Sequence, residues 1–208
     1  MILISYLNDR STRFVSTLLF FLLFCLPYVE TKGQEKLERE YRISVDKVPE
    51  KAKDFVKNTY SNTKVKWYKE ESFSGFSVEA KMKWKGQLHS VEFDTLGNLQ
   101  DVEVAIDFND ISKANQERVH AYLKANFQHY KISKTQLQLK GPPAQLQRII
   151  TNENQAQLEK FAINYELVVK GRHHEDNIVH FYELLVDRKG AVINRSKIVE
   201  RAVNHLIF

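Results

Sequence analysis

His173, His174, Asp176 and His180 form the densest group of potential metal ligands in the chain. Imidazole nitrogen and carboxylate oxygen suit zinc and similar ions. In an extended chain His173 and His174 point apart, and residues 172–179 read as an inserted hairpin without a rigid frame. A solvated hairpin tip is expected there, with no metal. Glu79 with Glu92, or Glu166 with Glu183, could face each other across strands as an acid–base pair. Strand alternation places these side chains on the solvent side, in ion pairs. The sequence has no Gly-x-Ser-x-Gly elbow and no glycine-rich phosphate loop after a strand. No cofactor and no catalysis are expected; a metal-dependent enzyme built on His173 to His180 is the alternative.

Lys81, Lys83 and Lys85 make a positive row, with Lys64, Lys66, Trp67, Tyr68 and Trp84 near it. Basic and aromatic side chains on one surface would suit single-stranded nucleic acid. Here Trp84 alternates with the lysines and falls on the opposite strand face. Glu92, Asp101 and Glu103 on neighbouring strands can pair with the lysines, for about 0.2–1 kcal/mol per pair. The row is expected to be a charged solvent face that can meet an acidic protein. Nucleic acid is not an expected partner.

The elements that position these residues follow from hydrophobic period. Val48-Pro49 opens a helix with Ala52, Phe55, Val56 and Tyr60 on one face. Val65 and Trp67 alternate with charge, as in a half-buried strand. After a Ser72–Gly75 turn, Phe76, Val78, Ala80, Met82 and Trp84 form the inner face of a long strand. Further strands carry Val91 and Phe93, then Val102, Val104 and Ile106. Asp94-Thr95-Leu96-Gly97 joins them as a tight turn, with aspartate bonding local N–H groups and glycine at positive φ.

The same order recurs. Val119, Tyr122, Leu123 and Phe127 repeat the helix face, and Ile163 to Gly171 repeats Val78 to Gly86. Val186-Asp187-Arg188-Lys189-Gly190 repeats the Asp-x-x-Gly turn. Two insertions fall in loops of the second copy, near 141–157 and 172–179. In the first, Pro142-Pro143 is placed to start a short helix through Leu146, Ile149 and Ile150. The expected fold is α+β: two repeated units, 44–110 and 111–208, each a helix packed on a four-stranded antiparallel sheet.

Ahead of them, Arg10 and Arg13 precede an apolar run from Phe14 to Val29. This resembles a signal peptide over 1–33, and the run is short of the roughly 20 residues that span a bilayer. An uncleaved membrane anchor is the alternative. Residues 34–43 read as a flexible charged lead-in. The single cysteine, Cys25, lies inside the leader, so exported chain would carry no thiol chemistry. The net charge of +5 mixes both signs and does not specify a polyanion partner.

The ordered set of Val-Pro helix start, alternating strand ending at Lys-Gly and apolar-Asp-x-x-Gly turn resembles the PepSY-like family. More closely, it resembles secreted bacterial proteins built from paired units akin to beta-lactamase-inhibitor protein. The second unit departs by having Asp110-Ile111-Ser112 in place of Val-Pro. The resemblance implies a secreted or periplasmic, non-catalytic binding protein whose partner is a protein of the cell envelope, such as a hydrolase or protease. No membrane association is expected after leader cleavage. The contact residues expected are Val168, Phe181 and Leu185, exposed on the second unit's outer face, together with Lys81, Lys83 and Lys85 on the first. The insertion at 141–157 folding over that face is the competing expectation.

Overall fold

A computed structural model describes residues 34–37, 39–152 and 161–199. Two short strands, β1 (Gln34–Leu37) and β2 (Arg39–Ile43), lead into helix α1 (Glu50–Thr59). Four strands follow: β3 (Val65–Ser72), β4 (Gly75–Trp84), β5 (Gln87–Asp94) and β6 (Leu99–Ala105). Helix α2 (Lys113–Asn126) leads directly into the long strand β7 (Phe127–Leu139). Helix α3 (Pro143–Asn152) precedes β8 (Ala162–His173), β9 (His180–Asp187) and β10 (Val192–Val199).

The ten strands form one sheet in the order β1-β10-β9-β8-β7-β6-β5-β4-β3-β2. β1 runs parallel to β10 and the other pairs are antiparallel, which makes the sheet mixed. β1 and β2 are chain neighbours, yet they occupy opposite edges. The sheet therefore curls until it is nearly barrel-shaped.

All three helices pack on one face. Pro49 precedes α1, where its missing N–H costs nothing. Ala52 and Val56 are buried, and the Phe55 ring meets Phe93 edge-on at 5.9 Å. Ser112 caps α2 by accepting from the Asn115 N–H at 3.4 Å, and Val119 and Leu123 face the core. α3 starts at the second proline of Pro142-Pro143 and buries Leu146, Ile149 and Ile150. These side chains share one hydrophobic cluster with Val78, Ala80, Val102, Leu137, Leu167 and Leu184.

The two Asp-x-x-Gly turns seat helix starts. Asp94 Oδ1 accepts from the N–H groups of Leu96 and Asn98, at 2.9 and 2.8 Å. Asp187 Oδ1 accepts from Lys189 and Ala191, both at 2.8 Å. Gly97 and Gly190 have φ of 81° and 83°, a region that glycine enters without steric cost. A Cβ on Gly97 would lie 2.8 Å from Pro49 Cβ, and one on Gly190 2.8 Å from Asn115 Cα.

The expected α+β fold of two repeated helix-on-four-stranded-sheet units is corrected. One mostly-sheet body is present, with β6 and β7 hydrogen-bonded through pairs such as Glu103 with Gln138 and Val104 with Leu137. Strand edges left open by two separate sheets would expose unpaired N–H and C=O groups. Joining them satisfies those groups and lets three helices cover a common core. Residues 39–43, read as a flexible lead-in, are also corrected: they form β2 against β3. The leader residues 1–33 lie outside the described residues.

Candidate functional site

Because the helices occupy one face, the opposite face lines the inside of the curled sheet. Its middle is polar and buried. Glu79 stands opposite Glu92, and Glu92 opposite Asp101. Ser90 stands opposite Glu103, Glu103 opposite Gln138, and Gln136 opposite Glu166. One carboxylate oxygen from each of Glu92, Asp101 and Glu103 lies within 4.8 Å of the other two.

Part of this acidity is answered by local partners. Gln138 Nε2 donates to Asp101 Oδ2 at 3.1 Å, and Asn164 Nδ2 donates to Gln138 Oε1 at 3.0 Å. Lys140 Nζ lies 3.5 Å from Asp101 Oδ2. Ser90 Oγ donates to Glu79. Among the described residues, Asp101 Oδ1 and Gln136 Oε1 have no hydrogen-bond partner, although these side chains are only 5 % and 4 % exposed. Burial, then repulsion from Asp101, Glu70, Glu79 and Glu166, pushes the Glu92 carboxyl up to about 9. Burial, then Glu166, Glu92 and Asp101, raises Glu103 well above the usual carboxylate range. Asp101 is raised by burial, against the pull of Lys140.

Toward β8–β10 the same face turns apolar. Val168 pairs with Glu183, Leu185 with Glu166, and Phe181 with Lys170. Val168 and Leu185 are half-buried, while Phe181 is 45 % exposed, with Lys170 Nζ 5.6 Å from its ring centre. Glu183 pairs with Lys36 from β1. α3 does not cover these residues: it packs with α1 in the core on the other side of the sheet. The rest of the insertion, 153–157, lies outside the described residues.

The three lysines have different settings. Lys81 is half-buried and bonds Glu40 Oε1 at 2.6 Å and Glu79 Oε2 at 3.0 Å. Lys83 is exposed opposite Leu88. Lys85 lies in the β4–β5 turn at φ 47°, and its Nζ donates to the Thr151 carbonyl at 2.8 Å.

The histidine segment is not a simple solvated tip. His173 ends β8, is 6 % exposed, and meets the Phe127 ring edge-on at 5.3 Å. Its Nε2 faces the Arg195 guanidinium and its Nδ1 accepts from the Glu175 N–H at 3.2 Å. Both ring nitrogens thus have partners from the chain itself. Tyr182 Oη donates to Asp176, which, with Lys197, holds that carboxyl below its usual range.

The buried acid group is the feature that strand parity alone misplaced. Alternation puts Glu92, Asp101 and Glu103 opposite the core residues, which is correct, but it assigns that side to solvent. Curling turns it into an interior. The signal available in the sequence was Gln136 and Gln138, neutral side chains on the strand flanking the acids where an open surface would favour lysine.

No protein-family model matches this chain, and no curated protein matches it either. Among solved structures it is similar to a DUF2874 family protein from Bacteroides ovatus: 13% identity, TM-score 0.46, with 72% of this chain and 87% of that one covered. It is also similar to a BLIP-like protein from Bacteroides fragilis: 14% identity, TM-score 0.45, with 76% and 92% covered. What the site does is read from its own geometry.

Proposed function

We propose that this protein acts by binding a protein partner, without catalysis, through the β8–β10 part of the inward face. The observation that carries the reading is that all three helices pack on the opposite face, which leaves Phe181, Val168 and Leu185 uncovered by any of them. A large aromatic anchor beside smaller apolar side chains, rimmed by charge, is what protein interfaces use at their centres. Lys170 supplies positive rim charge beside Phe181, so the matching surface is expected to carry an apolar side chain flanked by a carboxylate. Lys81 on β4 and Lys85 in the turn after it lie four strands from β8 in the sheet order, held by Glu40 and by the Thr151 carbonyl of α3.

Export to the periplasm or beyond is part of the same reading, supported by Arg10, Arg13 and the apolar run to Val29. The ordered Val-Pro, Lys-Gly and Asp-x-x-Gly motifs support a PepSY-like or inhibitor-like relationship, and inhibition of an envelope hydrolase is the form of binding they favour. Among the described residues, no helix is long and apolar enough to cross a membrane.

The test is Phe181→Asp in the full chain, cross-linked in envelope extract beside the wild type. Loss of one discrete, saturable adduct with an unchanged urea midpoint supports the reading. An adduct formed equally by wild type and variant contradicts it.

A further inference from the structure

We infer that Glu92, Asp101 and Glu103, with the side-chain carbonyl of Gln136, form a site for a hard divalent cation, calcium above all. The inference is independent of the partner-binding surface proposed above.

The three carboxylates come from two adjacent strands: Glu92 on β5 faces Asp101 on β6, and Glu103 lies two residues further along. Two ligands on one calcium ion, each at about 2.4 Å, stand at most about 4.8 Å apart. One oxygen from each of the three residues meets that limit pairwise.

Acidic side chains gather on many protein surfaces without holding an ion. What separates this group is a neutral acceptor with nothing to accept. Gln136 is 4 % exposed and its Oε1 has no partner among the described residues. Its place on the face follows from the register. Gln138 pairs with Glu103 and bonds Asp101, so its side chain lies on the acidic face. Gln136, two residues away on the same strand, shares that face, opposite Ala105 on β6 and Glu166 on β8 and one register step from the Glu103–Gln138 pair. Leaving such a carbonyl buried and unbonded is unfavourable, because it has given up water without gaining a donor. Asp101 Oδ1 is a second buried oxygen without a partner.

The donor set is all oxygen. It lacks the imidazole and thiolate ligands that select zinc, and it matches calcium, which takes carboxylates and amide carbonyls together. Charge points the same way. Lys140 contacts Asp101 from a half-exposed position, and Lys81 is engaged by Glu40 and Glu79.

The probe is calcium chloride added to the purified full chain after chelator treatment, followed by calorimetric titration and thermal unfolding, with magnesium chloride as comparator. The expected result is one calcium per chain, with affinity in the range of extracellular calcium modules, about 0.1–1 mM or tighter, and a rise in Tm. Asp101→Asn and Glu103→Gln should each weaken binding by about tenfold or more. Both remove a crowded buried charge, so both should fold, as checked by circular dichroism. Gln136→Leu provides a variant that leaves every carboxylate in place and should also weaken binding. Absence of saturable uptake by the wild type at 10 mM calcium, an order of magnitude above the range expected of such modules, would overturn the inference. So would unchanged affinity in all three variants, or tighter binding of magnesium than of calcium.

Discussion

Replacing Gly97 or Gly190 by alanine isolates how closely the Asp-x-x-Gly turns carry the helix starts. Both glycines have φ near 80°, where an alanine pays about 1–2 kcal/mol of backbone strain. A second cost is steric. The new Cβ on Gly97 would stand 2.8 Å from Pro49 Cβ and 3.1 Å from the Ala52 nitrogen, and that on Gly190 2.8 Å from Asn115 Cα. These are backbone and near-backbone atoms that cannot rotate away, so overpacking adds about 1–3 kcal/mol. The sum is about 2–5 kcal/mol. Gly86 separates the two costs: its φ is 90° and a Cβ there would meet nothing within 4 Å. Gly86→Ala should therefore cost only the strain, about 1–2 kcal/mol. Urea unfolding at constant pH reads the series. With a slope of about 2 kcal/mol per molar, the midpoint should fall by about 1–2.5 M for Gly97→Ala and Gly190→Ala, and by less than about 1 M for Gly86→Ala. Equal losses at all three positions would refute the close seating of α1 and α2 on the turns.

Two further predictions concern the interior and the proposed contact face. His89 is 3 % exposed and its Nδ1 lies 3.2 Å from Tyr60 Oη; burial, then Lys85, lowers its pKa to about 4. As pH falls from 6.5 toward 4 the unfolded chain takes up a proton that the native ring refuses. Stability should drop over that window by up to about 3 kcal/mol, at about 1.4 kcal/mol per pH unit. Urea midpoints at pH 7 and pH 4.5 should therefore diverge less in His89→Gln than in the wild type, and parallel pH profiles would contradict this. Val168→Ser with Leu185→Ser removes two half-buried side chains that no described helix covers, so the double variant should lose roughly 1–2 kcal/mol by urea unfolding. A loss near 5 kcal/mol would mean that the pair belongs to a closed core.

Local structure was readable wherever burial is one-sided. Ala52 and Val56 mark the inner face of α1, and Val78, Ala80 and Met82 that of β4, as their periods predict. The short helix through Leu146, Ile149 and Ile150 followed from Pro142-Pro143. At the ends of β4 the pattern overreached: Phe76 is 48 % exposed and its ring takes Lys69 Nζ at 3.7 Å. The single sheet was not legible, because joining β6 to β7 and placing β2 and β1 at opposite edges depend on pairings distant in sequence. The acid group followed that error. Parity can say that Asp101 and Glu103 oppose the core, but only the curl of the whole sheet decides whether the opposite side is water. His173 was misread for a related reason. Arg195, Phe127 and Tyr182, which enclose it, come from other strands.

The partner-binding claim is tested most directly by site-specific photo-cross-linking. A photoreactive residue is placed at position 181 or 185 on the proposed face, and at position 57 or 117 on the exposed surfaces of α1 and α2. In envelope extract, one discrete protein adduct is predicted from 181 and 185, suppressed by excess unlabelled wild-type chain and absent from 57 and 117. A competed adduct that forms from 57 or 117 but not from 181 or 185 would contradict the account.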